Sequence, residues 1–256
     1  MIRIDLQPAY LLHSRPYRDT SALVDLLTLD YGLVRAVARG VRGRRRRVAL
    51  QQHQPLLVSL GGRGELLTLN HVEAAAPGFF LSGKYLYSAL YMNELLVRLL
   101  QVYEPHEELY RAYQAGLLGL QRVGSQPANA RAVARPGSTA GPDMPDALEP
   151  LLRRFEWSVL GELGYQPDLG SVDENNVYCL TADAGFEAVF GKKDDTFSGE
   201  ALLLLQDLLE HPEADVSPAW TPVMRTTAKR LMRQALGPLL GSRPLMSRRL
   251  FAGQTD

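Results

Sequence analysis

Six arginines fall within nine residues in Arg39-Gly40-Val41-Arg42-Gly43-Arg44-Arg45-Arg46-Arg47. That many like charges repel one another unless an anion lies against them. Guanidinium forks match phosphate oxygens two at a time. Nucleic acid is therefore the first partner this run fits; a solvated basic loop is the alternative. A second set of cations, Arg225, Lys229 and Arg233, recurs every four residues and lines one stripe of a helix, with Arg230 beside it. Tyr17 and Tyr31 lie where bases could stack on them, although rim packing is the commoner use of a tyrosine.

Bond-making chemistry is not in view. The chain has no P-loop, no dinucleotide-binding glycine pattern, no His-Glu-x-x-His and no nucleophile elbow. His13, His53, His71, His106 and His211 are scattered without metal-ligand spacing. The carboxylates of residues 143–215 single out no acid and base. Gly61-Gly62-Arg63-Gly64 reads as a hairpin turn, since no Lys-Ser/Thr and helix follow it. Neither an enzyme nor a cofactor nor a metal site is expected.

The elements that would position these cations follow from periodicity. Residues 1–75 read as β, with apolar runs at Tyr10–Leu12, Ala22–Leu29, Leu33–Ala38, Leu56–Leu60 and Leu66–Val72 separated by turn residues, Ser14–Thr20 among them. Five short strands suggest a small barrel of the OB type. Alternation puts Val34, Ala36 and Ala38 on one face of the third run and Arg35, Val37 and Arg39 on the other. After Pro77-Gly78 the pattern turns helical. Phe79–Tyr103 is apolar nearly all round, as in a central buried helix, with Glu94 read as a satisfied carboxylate. Further helices are expected over His106–Arg122, Ala147–Gly161, Gly199–Glu210 (Ser198 as N-cap) and Thr221–Leu236. Val177–Thr181 and Phe186–Phe190 form a hairpin. The fold class expected is α+β: a five-stranded OB-fold barrel over 1–78, then a mostly α-helical domain over 79–256 with a small β-hairpin subregion over 165–195. Residues 124–145, rich in Gly, Pro, Ala and Ser, bury too little to offset their ordering entropy and read as a disordered loop.

Charge is segregated along the chain although 28 Lys+Arg balance 28 Asp+Glu. Residues 1–80 carry a net +5 and residues 216–256 a net +6, while residues 143–215 carry −13. Two basic ends around an acidic middle fit a polyanion site drawn from both ends. Cys179 is the only cysteine, which excludes an internal disulfide and a multi-cysteine zinc cage. No apolar stretch approaches the roughly 18 residues of a membrane span, so a soluble cytoplasmic protein is expected.

Several stretches resemble one known family, the recombination mediator RecO. They are Leu12-His13-Ser14-Arg15-Pro16-Tyr17-Arg18-Asp19-Thr20-Ser21, Gly61-Gly62-Arg63-Gly64-Glu65, Leu86-Tyr87-Ser88-Ala89-Leu90-Tyr91-Met92-Asn93-Glu94-Leu95-Leu96, Leu152-Arg153-Arg154-Phe155-Glu156, Leu163-Gly164-Tyr165 and Gly237–Phe251. They are colinear, and the look is closest to proteobacterial members. The resemblance implies a cytoplasmic, nucleoid-associated repair protein that binds single- and double-stranded DNA and anneals complementary strands. It implies RecR as partner, contact with the acidic tail of single-stranded DNA-binding protein (SSB), and help in loading RecA on gapped DNA; whether RecF takes part stays open. DNA would be held by Arg35, Arg39, Arg42, Arg44, Arg45, Arg46 and Arg47, with Arg225, Lys229, Arg230 and Arg233 extending the track. The SSB tail would dock at Arg153, with Arg154, Leu152 and Phe155 around it; a helix-surface arginine pair with water or Glu156 as partner is the competing reading. Many family members carry four zinc-binding cysteines after Leu-Gly-Tyr, and here Gln166–Val177 has none, so zinc is not expected. An OB-type RNA-binding factor and a non-enzymatic interaction scaffold are the rival readings.

Overall fold

The computed structural model describes residues 2–41, 50–125, 147–181, 184–191, 195–210 and 220–252. Five strands, β1 (Ile2–Tyr17), β2 (Ser21–Thr28), β3 (Gly32–Ala38), β4 (Leu56–Gly62) and β5 (Leu66–Ala74), close into a barrel in the order β1-β2-β3-β5-β4. All neighbours are antiparallel except β3 and β5, which run parallel. This is the OB-fold that the alternating apolar runs predict.

The first strand is longer than its apolar run. Ser14–Tyr17, expected as a separator, continue β1, because on a barrel's outer face exposed polar residues do not end a strand. β1 pairs with β4 through Ile2–Ala9 and with β2 through Ala9–Tyr17, so one strand closes the barrel. Irregularities between Ile4 and Gln7 and between Leu11 and His13 bend it around the core. Inside sit Ile4, Ala9, Leu11, Val24, Leu26, Val34, Ala36, Ala38, Val58, Leu60 and Leu67, all buried. Val34, Ala36 and Ala38 thus face inward, as alternation requires.

Gly32 opens β3 at φ +61°, and a Cβ there would stand 1.7 Å from the carbonyl oxygen of Glu104. Only glycine fits that close approach.

Three helices lie in the same compact unit as the barrel: α1 (Gly83–Leu99), α2 (Glu107–Ser125) and, from the far end of the chain, α6 (Ser247–Ala252). The unit comprises Met1–Ala132 and Pro244–Asp256, so the strand-to-helix change near residue 78 falls inside it. α1 is buried or half-buried along nearly its whole circumference, as its sequence predicts. Two of its polar residues, Asn93 and Glu94, tie it to other elements. Asn93 donates through Nδ2 to the Leu12 carbonyl at 2.9 Å and accepts from the Tyr113 hydroxyl at 2.6 Å. The Glu94 carboxylate accepts from the backbone N–H of Met246 and of Ser247, both at 2.8 Å, and from the Ser247 hydroxyl at 2.6 Å. Glu94 is the satisfied carboxylate that the helical spacing suggested, and it caps α6, a helix the apolar periodicity does not announce.

The second unit, Val133–Arg243, holds α3 (Leu148–Glu162), a three-stranded sheet in the order β7-β6-β8, α4 (Gly199–Glu210) and α5 (Pro222–Leu240). β6 (Val177–Thr181) and β7 (Gly185–Val189) make the expected hairpin; the two-residue β8 (Phe197–Ser198) is too short to read from sequence. Ser198 accepts from the N–H of Ala201 at 3.4 Å, and Thr221 from that of Met224 at 3.3 Å, so hydroxyls cap α4 and α5. Leu152, Phe155 and Val159 of α3 and Leu231, Met232 and Leu236 of α5 are buried. The stretch 126–146, most of the expected disordered loop, lies outside the described residues.

Candidate nucleic-acid interface

The outer face of β1, β2 and β3 is divided in two. At one end the register aligns Tyr10, Leu27 and Leu33, all fully buried. Tyr10 packs against Tyr110 and Tyr113 of α2, with ring centroids 5.4 and 5.1 Å apart. Burial pushes the Tyr10 phenol up to about 12, against a hydrogen bond from Gln114, so the ring stays neutral. This end is helix-covered.

The other end is open. One row across four strands reads His13, Asp25, Arg35, Leu66; the next reads Arg15, Leu23, Val37, Thr68. His13, Arg15, Arg35 and Leu66 are exposed, and Leu23 and Val37 are half-buried. Arg39, one residue past β3, is exposed as well. Beyond the second row Tyr17 is half-buried, and the Arg18 guanidinium lies 5.2 Å from its ring centroid. Tyr31 is exposed, but its turn between β2 and β3 lies past the Leu27–Leu33 pair, at the helix-covered end and not on this open face. An apolar strip of Leu23 and Val37 is thus rimmed by Arg15, Arg35 and Arg39. Guanidinium groups around an apolar floor can hold a phosphate chain while bases lie flat.

Sequence alternation places Arg35 and Arg39 on this face, and the structure puts them there. Arg15 and Arg18 were missed. The signal for Arg15 is the same alternation carried through His13, Arg15 and Tyr17; Arg18 lies in the turn after β1, outside that alternation. Arg42 and Arg44–Arg47 lie outside the described residues.

The other predicted cations sit in the second unit and are not equivalent. Lys229 and Arg233 are exposed on one stripe of α5. Arg225 is half-buried, with Nε donating to the Trp220 carbonyl at 3.1 Å. Arg230 donates to the Thr196 carbonyl at 2.5 Å and stacks 4.3 Å over the Phe197 ring. Regular spacing finds the stripe but not which heads turn inward.

The four residues expected to take an SSB tail share α3. Leu152 and Phe155 are buried. Arg153 is 8% exposed and its Nη1 lies 2.6 Å from Oε2 of Glu156, which is itself 1% exposed. Arg154 donates through Nε to the Leu208 carbonyl at 3.0 Å.

Comparison with known proteins agrees with this architecture. Residues 1–77 match the family described as Recombination protein O N terminal, and residues 81–135 match Recombination protein O C terminal. A DNA repair protein RecO from Stutzerimonas stutzeri is 42% identical over 252 residues, covering 96% of this chain and 92% of the relative. The chain belongs to the RecO family. The RecO protein of Pseudomonas aeruginosa PAO1 is 40% identical over 256 residues, covering 98% of this chain and 96% of the relative. The barrel with its open basic face lies within the RecO N-terminal match, and Asn93 and Glu94 lie within the C-terminal one. As a RecO-family member the chain is a DNA repair protein. No helix among the described residues is long and apolar enough to cross a membrane.

Proposed function

We propose that this chain binds single- and double-stranded DNA on the open outer face of β1–β3 and anneals complementary strands there. With RecR it would help load RecA on SSB-coated gaps. The observation that carries this reading is the strip of Leu23 and Val37 rimmed by Arg15, Arg35 and Arg39, leading into the arginine run. Two strands drawn onto one cationic face no longer repel each other, and pairing is accelerated. Arg42 and Arg44–Arg47 would hold further phosphates. Lys229 and Arg233 are proposed to do the same; Arg225 and Arg230, engaged with their own unit, are weaker candidates. The SSB tail is proposed to dock on α3. Its carboxylates would compete with Glu156 for Arg153, beside Arg154, Leu152 and Phe155.

The test is annealing of two labelled complementary oligonucleotides, each precoated with SSB, across a salt series. Acceleration that fades with salt is expected. Arg35→Ala/Arg39→Ala should weaken single-strand binding and flatten the slope of log K against log salt by about 1.4, that is about 0.7 for each phosphate no longer neutralised. An unchanged affinity and slope would remove the barrel face from the reading. Tighter binding of RNA than of DNA of the same sequence would favour an RNA factor instead.

A further inference from the structure

The open face carries one acid among its cations. Asp25 is the only acidic residue in β2 or β3. The register sets it between His13 on one neighbouring strand and Arg35 on the other. Its carboxylate is held from both sides: Oδ1 lies 3.4 Å from Arg35 Nε and Oδ2 lies 3.4 Å from His13 Nδ1. The Asp25 side chain is 18% exposed, whereas those of Arg35 and His13 are 51% and 54% exposed.

Aspartate is a poor strand residue, and a pair this open to water adds little to stability. Its main effect is electrostatic. It occupies the Nε edge of Arg35, half of the fork that a phosphate would use, and keeps a negative charge behind it. A phosphate arriving at Arg35 must share the guanidinium with Asp25, whose charge offsets part of the attraction.

We infer that Asp25 is a built-in counter-ion that competes with DNA phosphate for Arg35. It sets strand affinity below what the arginines alone would reach and so hastens strand release. Annealing needs that release, because a protein that pairs two strands must then give up the duplex. The inference rests on the proposed DNA face.

The test is a double-mutant cycle at fixed pH on the full chain, with Asp25→Asn, Arg35→Ala and the double variant. A labelled single strand is titrated across a salt series, and its dissociation rate is followed by stopped flow. Asp25→Asn should bind about 3- to 10-fold tighter at low salt. It should release the strand more slowly and steepen the salt slope, by less than the roughly 0.7 of a whole added phosphate contact. In the Arg35→Ala background the same change should give almost no gain. Asp25→Ser, which also removes the charge, should behave alike, and thermal melts establish that each variant is folded. If Arg35→Ala weakens binding while loss of the Asp25 charge weakens it further or leaves it unchanged, the face stands and the counter-ion role is overturned. An equal gain with and without Arg35 also overturns it, since the charge would then act on the strand at large. If Arg35→Ala costs nothing, the face and the inference fall together.

Discussion

Asn93, midway along α1, donates to the backbone carbonyl of Leu12, 81 residues earlier in the chain. Leu12 lies at the irregularity where β1 shifts register against β2, and its carbonyl also accepts from Gln52 Nε2 at 2.6 Å. The second amide hydrogen of Asn93 faces His53 Nε2 at 3.3 Å, and its oxygen takes the Tyr113 hydroxyl. One buried side chain therefore joins the barrel, the linker, α1 and α2. Satisfied, such a network specifies the packing; broken, it leaves several buried groups unpaired.

Asn93→Leu keeps the volume and removes every one of these bonds. It should destabilise the first unit by about 2–3 kcal/mol, the cost of unpaired buried polar groups. Urea unfolding measures this; a change under about 0.5 kcal/mol would show that the network adds no net stability.

His53 makes the same junction acid-sensitive. Burial lowers its pKa from 6.5 to about 4, partly opposed by the Ala89 carbonyl. A protonated ring would also turn a second donor toward Asn93. The unfolded chain binds the proton first, so stability is complete above about pH 6.5. It falls as the pH drops toward 4, by about 3 kcal/mol in all. His53→Asn suits the positive φ of 60° at this position and should flatten that acid limb. Unfolding midpoints between pH 4 and 7 for both proteins give the comparison, and parallel curves would assign the acid loss to other groups.

Glu94 holds the C-terminal segment through Ser247. Burial alone would raise its pKa, but the Ser247 hydroxyl and N–H, the Met246 N–H and Arg98 outweigh it and bring the carboxyl below its ordinary value. The support it gives α6 is present above the ordinary carboxylate pKa and is lost as the pH falls through the lowered one. Glu94→Gln should cost about 1–2 kcal/mol locally. Hydrogen exchange should then quicken at 246–251 while the barrel amides stay protected. Equal protection in both proteins would show that Tyr87 against Phe251, with ring centroids 5.7 Å apart, holds the helix unaided.

Arg153 and Glu156 form a pair that is nearly closed to water. Removing one partner leaves a buried charge, so Glu156→Ala should cost about 3–5 kcal/mol in the second unit. Arg153→Glu sets two carboxylates together and should lower the melting temperature further. Docking of an acidic tail is therefore better probed with Arg153→Lys, which keeps the charge but loses the fork. Reduced peptide affinity at an unchanged melting temperature is the expected result; undiminished affinity would move the tail site away from Arg153.

Local chemistry determined much of this protein. Alternation in Leu33–Ala38 separates Val34, Ala36 and Ala38 from Arg35, because successive side chains on a strand must point to opposite faces. Apolar periodicity marks α1, the Ser198 hydroxyl marks a helix start, and the arginine run fits an anionic partner. Tertiary structure decided which cations are free to use their charge. Lys229 and Arg230 are neighbours in sequence, yet one points to water and the other lies on Phe197, 33 residues before it. Arg153 looks like a surface arginine until Glu156 is seen buried against it. Asp25 becomes a partner of Arg35 only through strand register. A residue's spacing fixes its direction on its own element, but its partners come from other elements, whose approach is set by packing.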